Sequence, residues 1–311
     1  MAVTADVMES PSTPEVTPFF DEQSNTLSYV VKDPDSNACA VVDSVLNLDY
    51  PSGTVTFEGA DAIVAYVRDN DLALKWILET HVHADHLSAA PYIQQCLGGK
   101  IAIGNAISVV QETFGSIFCA GPEFARDGSQ FDVLLADGDT IEFGRISGHA
   151  LHTPGHTPAC MAYVLGDAVF VGDTLFMPDA GTARADFPGG DARALYRSIQ
   201  RLLTLPAHYR MFVCHDYLPD GRALTFETTV AAQQAGNVHV NGAITEDDFV
   251  AMREKRDATL GMPNLILPSL QVNMRAGYLP SPERDGRFFL TLPLNAFGGP
   301  DLDILRAGRG G

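Results

Sequence analysis

Short apolar runs, broken by turn-forming residues, alternate along this chain with a few stretches of helical spacing. Residues 26–32 and 38–43 read as two strands joined by the turn Asp33-Pro34-Asp35-Ser36-Asn37. Residues 44–58 are rich in turn formers and read as a loop. In 59–70, Ile63, Val64 and Val67 fall on one helical face. The run Leu74-Lys75-Trp76-Ile77-Leu78 predicts a strand, followed by a helix over 88–96 with Pro91 near its start and a short strand at 101–103. Strands resume at 131–135, 140–143 and 146–151, and 160–165 with 168–171 form a hairpin around Gly166-Asp167. Residues 191–205 predict a helix that turns Leu195, Ile199, Leu202 and Leu203 inward, and 211–214 one more buried strand. Two groups of strands, each flanked by helices, predict an α/β chain with two sheets sandwiched between helical layers. Residues 1–17, rich in Thr, Pro, Ser and Glu, are expected to be flexible. Residues 18–235 form the main domain. Residues 236–311 change character, with a charged helix near 246–257 and Pro-punctuated segments, and read as a helical and irregular extension packing on it.

Charge narrows the partners. Twenty Lys and Arg stand against 39 Asp and Glu, a formal charge of −19 over 311 residues. That speaks against nucleic acid or an anionic membrane as a partner, and requires local cations wherever an anionic ligand binds. Five scattered cysteines without a CxxC pair fit a reducing compartment. The first residues lack a basic segment followed by an apolar one, and no run is long enough to span a bilayer, so the cytoplasm is the expected location.

The densest chemistry lies in Thr80-His81-Val82-His83-Ala84-Asp85-His86, directly after a strand. Imidazole and carboxylate together suit zinc or ferrous iron better than magnesium or calcium. If the chain stays extended, His81, His83 and Asp85 share one side, and His86 joins them where it turns. Three more ligand types follow other strands: His156 in the loop His152-Thr153-Pro154-Gly155-His156-Thr157-Pro158, Asp173 after 168–171, and His215 after 211–214. Strand ends at one edge of a sandwich converge on one cleft. The mixed segment 105–130 is expected to be a helix and loop over that site.

The order THxHxDH, GH, GD and the His of Cys214-His215-Asp216-Tyr217 resembles the metallo-β-lactamase superfamily over roughly residues 18–230. The phrases Thr153-Pro154-Gly155-His156-Thr157-Pro158, Gly172-Asp173-Thr174-Leu175 and 181–187, with 271–277 near the C-terminus, resemble its persulfide dioxygenase branch and, more distantly, glyoxalase II. The resemblance implies an αββα sandwich of two mixed sheets, a catalytic domain over 18–235, and a homodimer. In the dioxygenase branch it implies one Fe(II) per chain on His81, His156 and Asp173. Such a two-His-one-carboxylate triad leaves coordination positions open for the sulfur of glutathione persulfide and for O2, with sulfite and glutathione as products. His83, Asp85, His86 and His215 would then orient ligands and waters. In the hydrolase branch the same resemblance implies two Zn, Fe or Mn ions. His81, His83 and His156 would hold one and Asp85, His86 and His215 the other, with Asp173 between them, for attack on a glutathione thioester. All seven residues are present, so their identities fit both branches.

Substrate contacts are expected from Arg184, beside Asp186 in the loop after Asp173, and from Tyr196 on the following helix. Arg253 and Arg256 resemble the basic helix with which glyoxalase II grips glutathione. Arg275 is read as an anchor for the tail, and Cys160 and Cys214 as packing residues.

Overall fold

The computed structural model describes residues 13–302, so residues 1–12 of the expected flexible segment and 303–311 of the expected extension lie outside the described residues. In chain order the first half holds β1 (Glu15–Asp21), β2 (Thr26–Lys32), β3 (Ala38–Val42), β4 (Val45–Asp49), β5 (Thr54–Thr56), α1 (Glu58–Asp69), β6 (Ala73–Leu78), β7 (Leu87–Ser88), α2 (Ala90–Leu97), β8 (Lys100–Gly104), α3 (Ile107–Ile117) and β9 (Val133–Leu135). The second half holds β10 (Thr140–Phe143), β11 (Ile146–His152), β12 (Met161–Leu165), β13 (Ala168–Phe170), α4 (Ala192–Leu202), β14 (Arg210–Phe212), β15 (Glu227–Thr229), α5 (Val230–Gly236), α6 (Glu246–Asp257) and α7 (Ile266–Asn273).

One sheet runs β1-β2-β3-β6-β8-β9 and the other β10-β11-β12-β13-β14-β15. Both are mixed: β3, β6, β8 and β9 are parallel neighbours, as are β13 and β14. The two faces of the first sheet are read directly from alternation along its strands. Tyr29, Val31, Ala40, Val42 and Leu78 point toward the second sheet, where they meet Ile141, Phe143, Tyr163, Phe170 and Phe212. Val30, Val41 and Ile77 point the other way, onto Ile63, Val64 and Val67 of α1 and Ile93 of α2. Both faces of β3 are therefore buried, which is why it is an apolar run with no polar face, while β6 is buried at Leu74, Ile77 and Leu78 and leaves Lys75 exposed. The expected αββα sandwich of two mixed sheets is the observed fold.

Two tyrosines join the sheets next to their ligand-bearing ends. The Tyr29 hydroxyl of β2 donates to the Val213 carbonyl at 2.5 Å, and the Tyr163 hydroxyl of β12 donates to the Glu79 carbonyl at 2.7 Å. Each sheet thus holds the backbone that leads the other sheet's chain into the site.

Several expectations need correction. Residues 15–17 of the expected flexible segment belong to a strand: β1 pairs with β2 along its whole length, from Glu15↔Lys32 to Asp21↔Thr26. The expected loop 44–58 contains β4 and β5, which form a small sheet in the order β5-β4-β7. Because Leu87 and Ser88 pair with Leu46 and Val45, the helix expected from 88 begins only at Ala90. The 105–130 segment does not lie over the site. The apolar face of α3 (Ile107, Val110, Phe114) is buried in the outer core with Ile266 and Leu270 of α7. Among the described residues no helix is long and apolar enough to cross a membrane.

Candidate metal centre

The strand β6 ends at Leu78, and 79–86 is a bent loop rather than an extension of it. The bend still keeps the donors together: the ring centroids of His81 and His83 are 4.1 Å apart and those of His83 and His86 4.3 Å. The donor atoms of His81, His156 and Asp173 come within 4.8 Å of one another, and those of His83, Asp85 and His86 make a second such group. Asp173 belongs to both halves of the cleft: its carboxylate is 3.9 Å from His81 Nε2, 3.6 Å from His156 Nε2 and 3.1 Å from His215 Nε2. His215 Nε2 is also 3.5 Å from Asp85.

Outer partners set the tautomer of each imidazole. The Thr80 hydroxyl donates to Asp43 at 2.9 Å, so at 3.0 Å it accepts from His81 Nδ1–H. The carbonyls of Leu87 and Arg184 accept from Nδ1–H of His86 and His156 at 3.0 and 2.8 Å. The carbonyl of Asn25 accepts from His215 Nδ1–H at 3.3 Å. His83 is reversed, giving its Nε2–H to Asp43 at 3.0 Å. What remains are His81 Nε2, His83 Nδ1, His86 Nε2, His215 Nε2 and Asp173 Oδ1, all buried and without a hydrogen-bond partner. Buried polar atoms are almost always partnered. Five unpartnered atoms from three segments, the four imidazoles among them each held through the opposite ring nitrogen, fit a bound cation.

The electrostatics follow from that crowding. Burial alone would raise the Asp173 carboxyl, but His215, His81 and His156 outweigh it and hold it well below the usual carboxylate range. Burial and the adjacent His83 push the His81 imidazole well below its usual value, and burial with His83 brings His86 down to about 4. A ring that sheds its proton so readily offers a lone pair to a metal.

A cavity of about 950 Å³ opens onto Asp85, His156, Asp173 and His215, walled by Phe176, Phe187, Leu260 and Met262 among others. Arg184 lines it, but its guanidinium is committed to Asp186 at 2.6 and 2.7 Å and to the Gly261 carbonyl at 2.7 Å. Its main-chain carbonyl, through His156, is what reaches the centre. Arg253 borders the cavity but is 1% exposed, with Nε on Asp257 at 2.8 Å and Nη1 on the Thr182 carbonyl at 3.1 Å, so its guanidinium braces the 182–185 loop. Arg256 is exposed on the same wall, and among the described residues its guanidinium makes no ion pair or hydrogen bond. Tyr196 does not reach the cleft: its hydroxyl donates to the Ile244 carbonyl at 3.0 Å and its ring packs on Phe249, which makes it a core residue. Arg275 lies over Phe124 and donates to the Gln271 carbonyl, a structural placement.

Three residues with a part in the site escaped the sequence reading. Asp43 orients Thr80 and His83. Glu79, its carboxyl raised by burial, accepts from Ser88 at 2.8 Å and lies 3.5 Å from His83. His239 lines the cavity with Nδ1 accepting from Thr182 N at 3.0 Å, its ring seated where a side chain on Gly181 would stand. Of these, Glu79 alone carried a signal, as a carboxylate adjoining the histidine run.

A profile of the metallo-β-lactamase superfamily matches residues 22–215. A probable metallo-hydrolase of Burkholderia pseudomallei (strain 1710b) is 56% identical over 288 residues, 89% of this chain and 98% of its own. Glyoxylase B2 of Dictyostelium discoideum is 46% identical over 275 residues (88% and 94%). The mitochondrial persulfide dioxygenase ETHE1 of Bos taurus is 28% identical over 261 residues (83% and 87%). The crystal structure of ETHE1 from Myxococcus xanthus superposes with a TM-score of 0.67 at 28% identity, covering 85% of this chain and all of that one. With its fold, its donor set and these relatives taken together, the chain belongs to the metallo-β-lactamase superfamily.

Proposed function

We propose that this enzyme is a non-haem Fe(II) persulfide dioxygenase, taking glutathione persulfide, O2 and one water to sulfite and glutathione. The observation that carries the reading is the grouping of His81, His156 and Asp173, two imidazoles and one carboxylate with their donor atoms within 4.8 Å of one another, of which His156 and Asp173 line the cavity. That donor set suits ferrous iron and leaves positions open for exogenous ligands. When bound there, the iron supplies electrons for O2 and a site for the substrate sulfur. The chain's own residues do the rest. The Arg184 carbonyl and Thr80 hydroxyl aim His156 and His81, and Phe176 and Phe187 keep bulk water from the reacting sulfur. Arg256 meets a substrate carboxylate, the cation that a chain of charge −19 needs at this wall. The persulfide dioxygenase relative supports the same reading.

Two observations favour a second reading, hydrolysis of a glutathione thioester by two ions. His83, His86 and His215 also present unpartnered nitrogens, and relatives of higher identity bear the names metallo-hydrolase and Glyoxylase B2. Anaerobic loading with Fe(II), and separately with Zn(II), followed by metal counting, tests both. Oxygen uptake with glutathione persulfide by the iron form, at one iron per chain, is the expected result. Thioester cleavage without oxygen uptake would overturn it in favour of hydrolysis.

A further inference from the structure

The loop 83–88 carries the second group of donors, yet its main chain is held from the far end of the sequence. Asn273, at the end of α7 and 4% exposed, donates one Nδ2–H to the His83 carbonyl and the other to the His86 carbonyl, each at 2.8 Å. Its Oδ1 accepts from Ser88 N at 2.8 Å. A primary amide has two N–H donors and one carbonyl oxygen, so all of its polar groups are spent on this loop. The close approach is built in at Gly277. Its φ is +86°, and a Cβ there would stand 2.6 Å from Pro91 Cδ and 2.8 Å from the Ser88 carbonyl.

We propose that Asn273 is a positioning residue for the metal centre. It fixes the carbonyls of His83 and His86, and so the direction in which His83 Nδ1 and His86 Nε2 face the cleft, without touching an ion itself. Its side chain bonds neither His81, His156 nor Asp173, so its influence falls on the His83–Asp85–His86 half. The inference rests on the metal centre and holds in either reading of the reaction.

The test is Zn(II) binding, measured by competition with a chromophoric chelator, alongside thermal unfolding of the same preparations. Asn273→Ala is compared with Gln271→Ala, a control on the same helix. Gln271 holds Thr291, accepting from its N–H at 2.8 Å and its hydroxyl at 2.9 Å, and does not bond the ligand loop. Both variants should melt at lower temperature. N273A should bind Zn(II) about 10–100-fold more weakly than wild type, as loss of outer-sphere support does elsewhere, while Q271A stays within about twofold. Wild-type affinity in N273A, or an equal loss in Q271A, would reduce Asn273 to a packing residue and overturn the proposal. If N273A does not fold, N273S retains one short donor and should show an intermediate loss; wild-type affinity there is equally fatal. A wild-type protein that binds no Zn(II) would overturn the centre, and this inference with it.

Discussion

Asp43 follows β3 in a left-handed conformation, φ 50°, which Asp tolerates better than most residues. Its carboxylate takes Thr80 N at 2.7 Å, the Thr80 hydroxyl at 2.9 Å, His83 Nε2 at 3.0 Å and the Cys214 thiol at 3.7 Å. Asp43→Asn turns one acceptor into a donor facing these donors. Metal affinity should fall about 10–100-fold while the fold persists; undiminished affinity in a chelator competition would show the carboxylate to be idle. The donors themselves were legible because three imidazoles and a carboxylate within seven residues have few uses besides a metal. Asp43 was not, because an Asp between an apolar strand and a serine looks like any turn residue. Its partners Thr80 and His83 lie 37 and 40 residues away, and only the folded chain brings them together. The reverse error was Tyr196, an aromatic residue on a helix after the site that turned out to face the core.

At the scale of elements, the loop bearing His156 is locked onto the first turn of α4. The Gly155 carbonyl accepts from Asp191 N at 2.8 Å, while the Asp191 side chain caps the helix on Arg193 N and Ala194 N. Gly155 has φ +143°, and a Cβ there would lie 2.3 Å from the Leu195 backbone. Gly155→Ala must therefore push helix and loop apart, at a cost above about 2 kcal/mol, and move His156 with them. Denaturant unfolding checks this, and a change below about 0.5 kcal/mol would mean that the backbone adapts freely. Long apolar strands and the periodic helices α1 and α4 were legible because their patterns repeat over several residues. β7 has two residues and exists only by pairing with β4. α7 was masked by Pro268, which a helix tolerates in its first turn.

Across the whole molecule, fold and family were legible but the reaction was not. Seven donors on one scaffold serve two chemistries, and a fold does not choose between them. The reciprocal bonds of Tyr29 and Tyr163 bear on how the centre comes into being. His81 follows a strand of the first sheet and Asp173 and His215 follow strands of the second, so the centre is complete only when the two sheets are packed together. An ion meeting the unfolded chain finds no more than the 81–86 stretch. Capture is therefore a late event: added Zn(II) should leave the refolding rate nearly unchanged and slow unfolding in proportion to its binding. A refolding rate that climbs with Zn(II) concentration would place the ion at the start of assembly; otherwise it acts as a latch on a frame already shut.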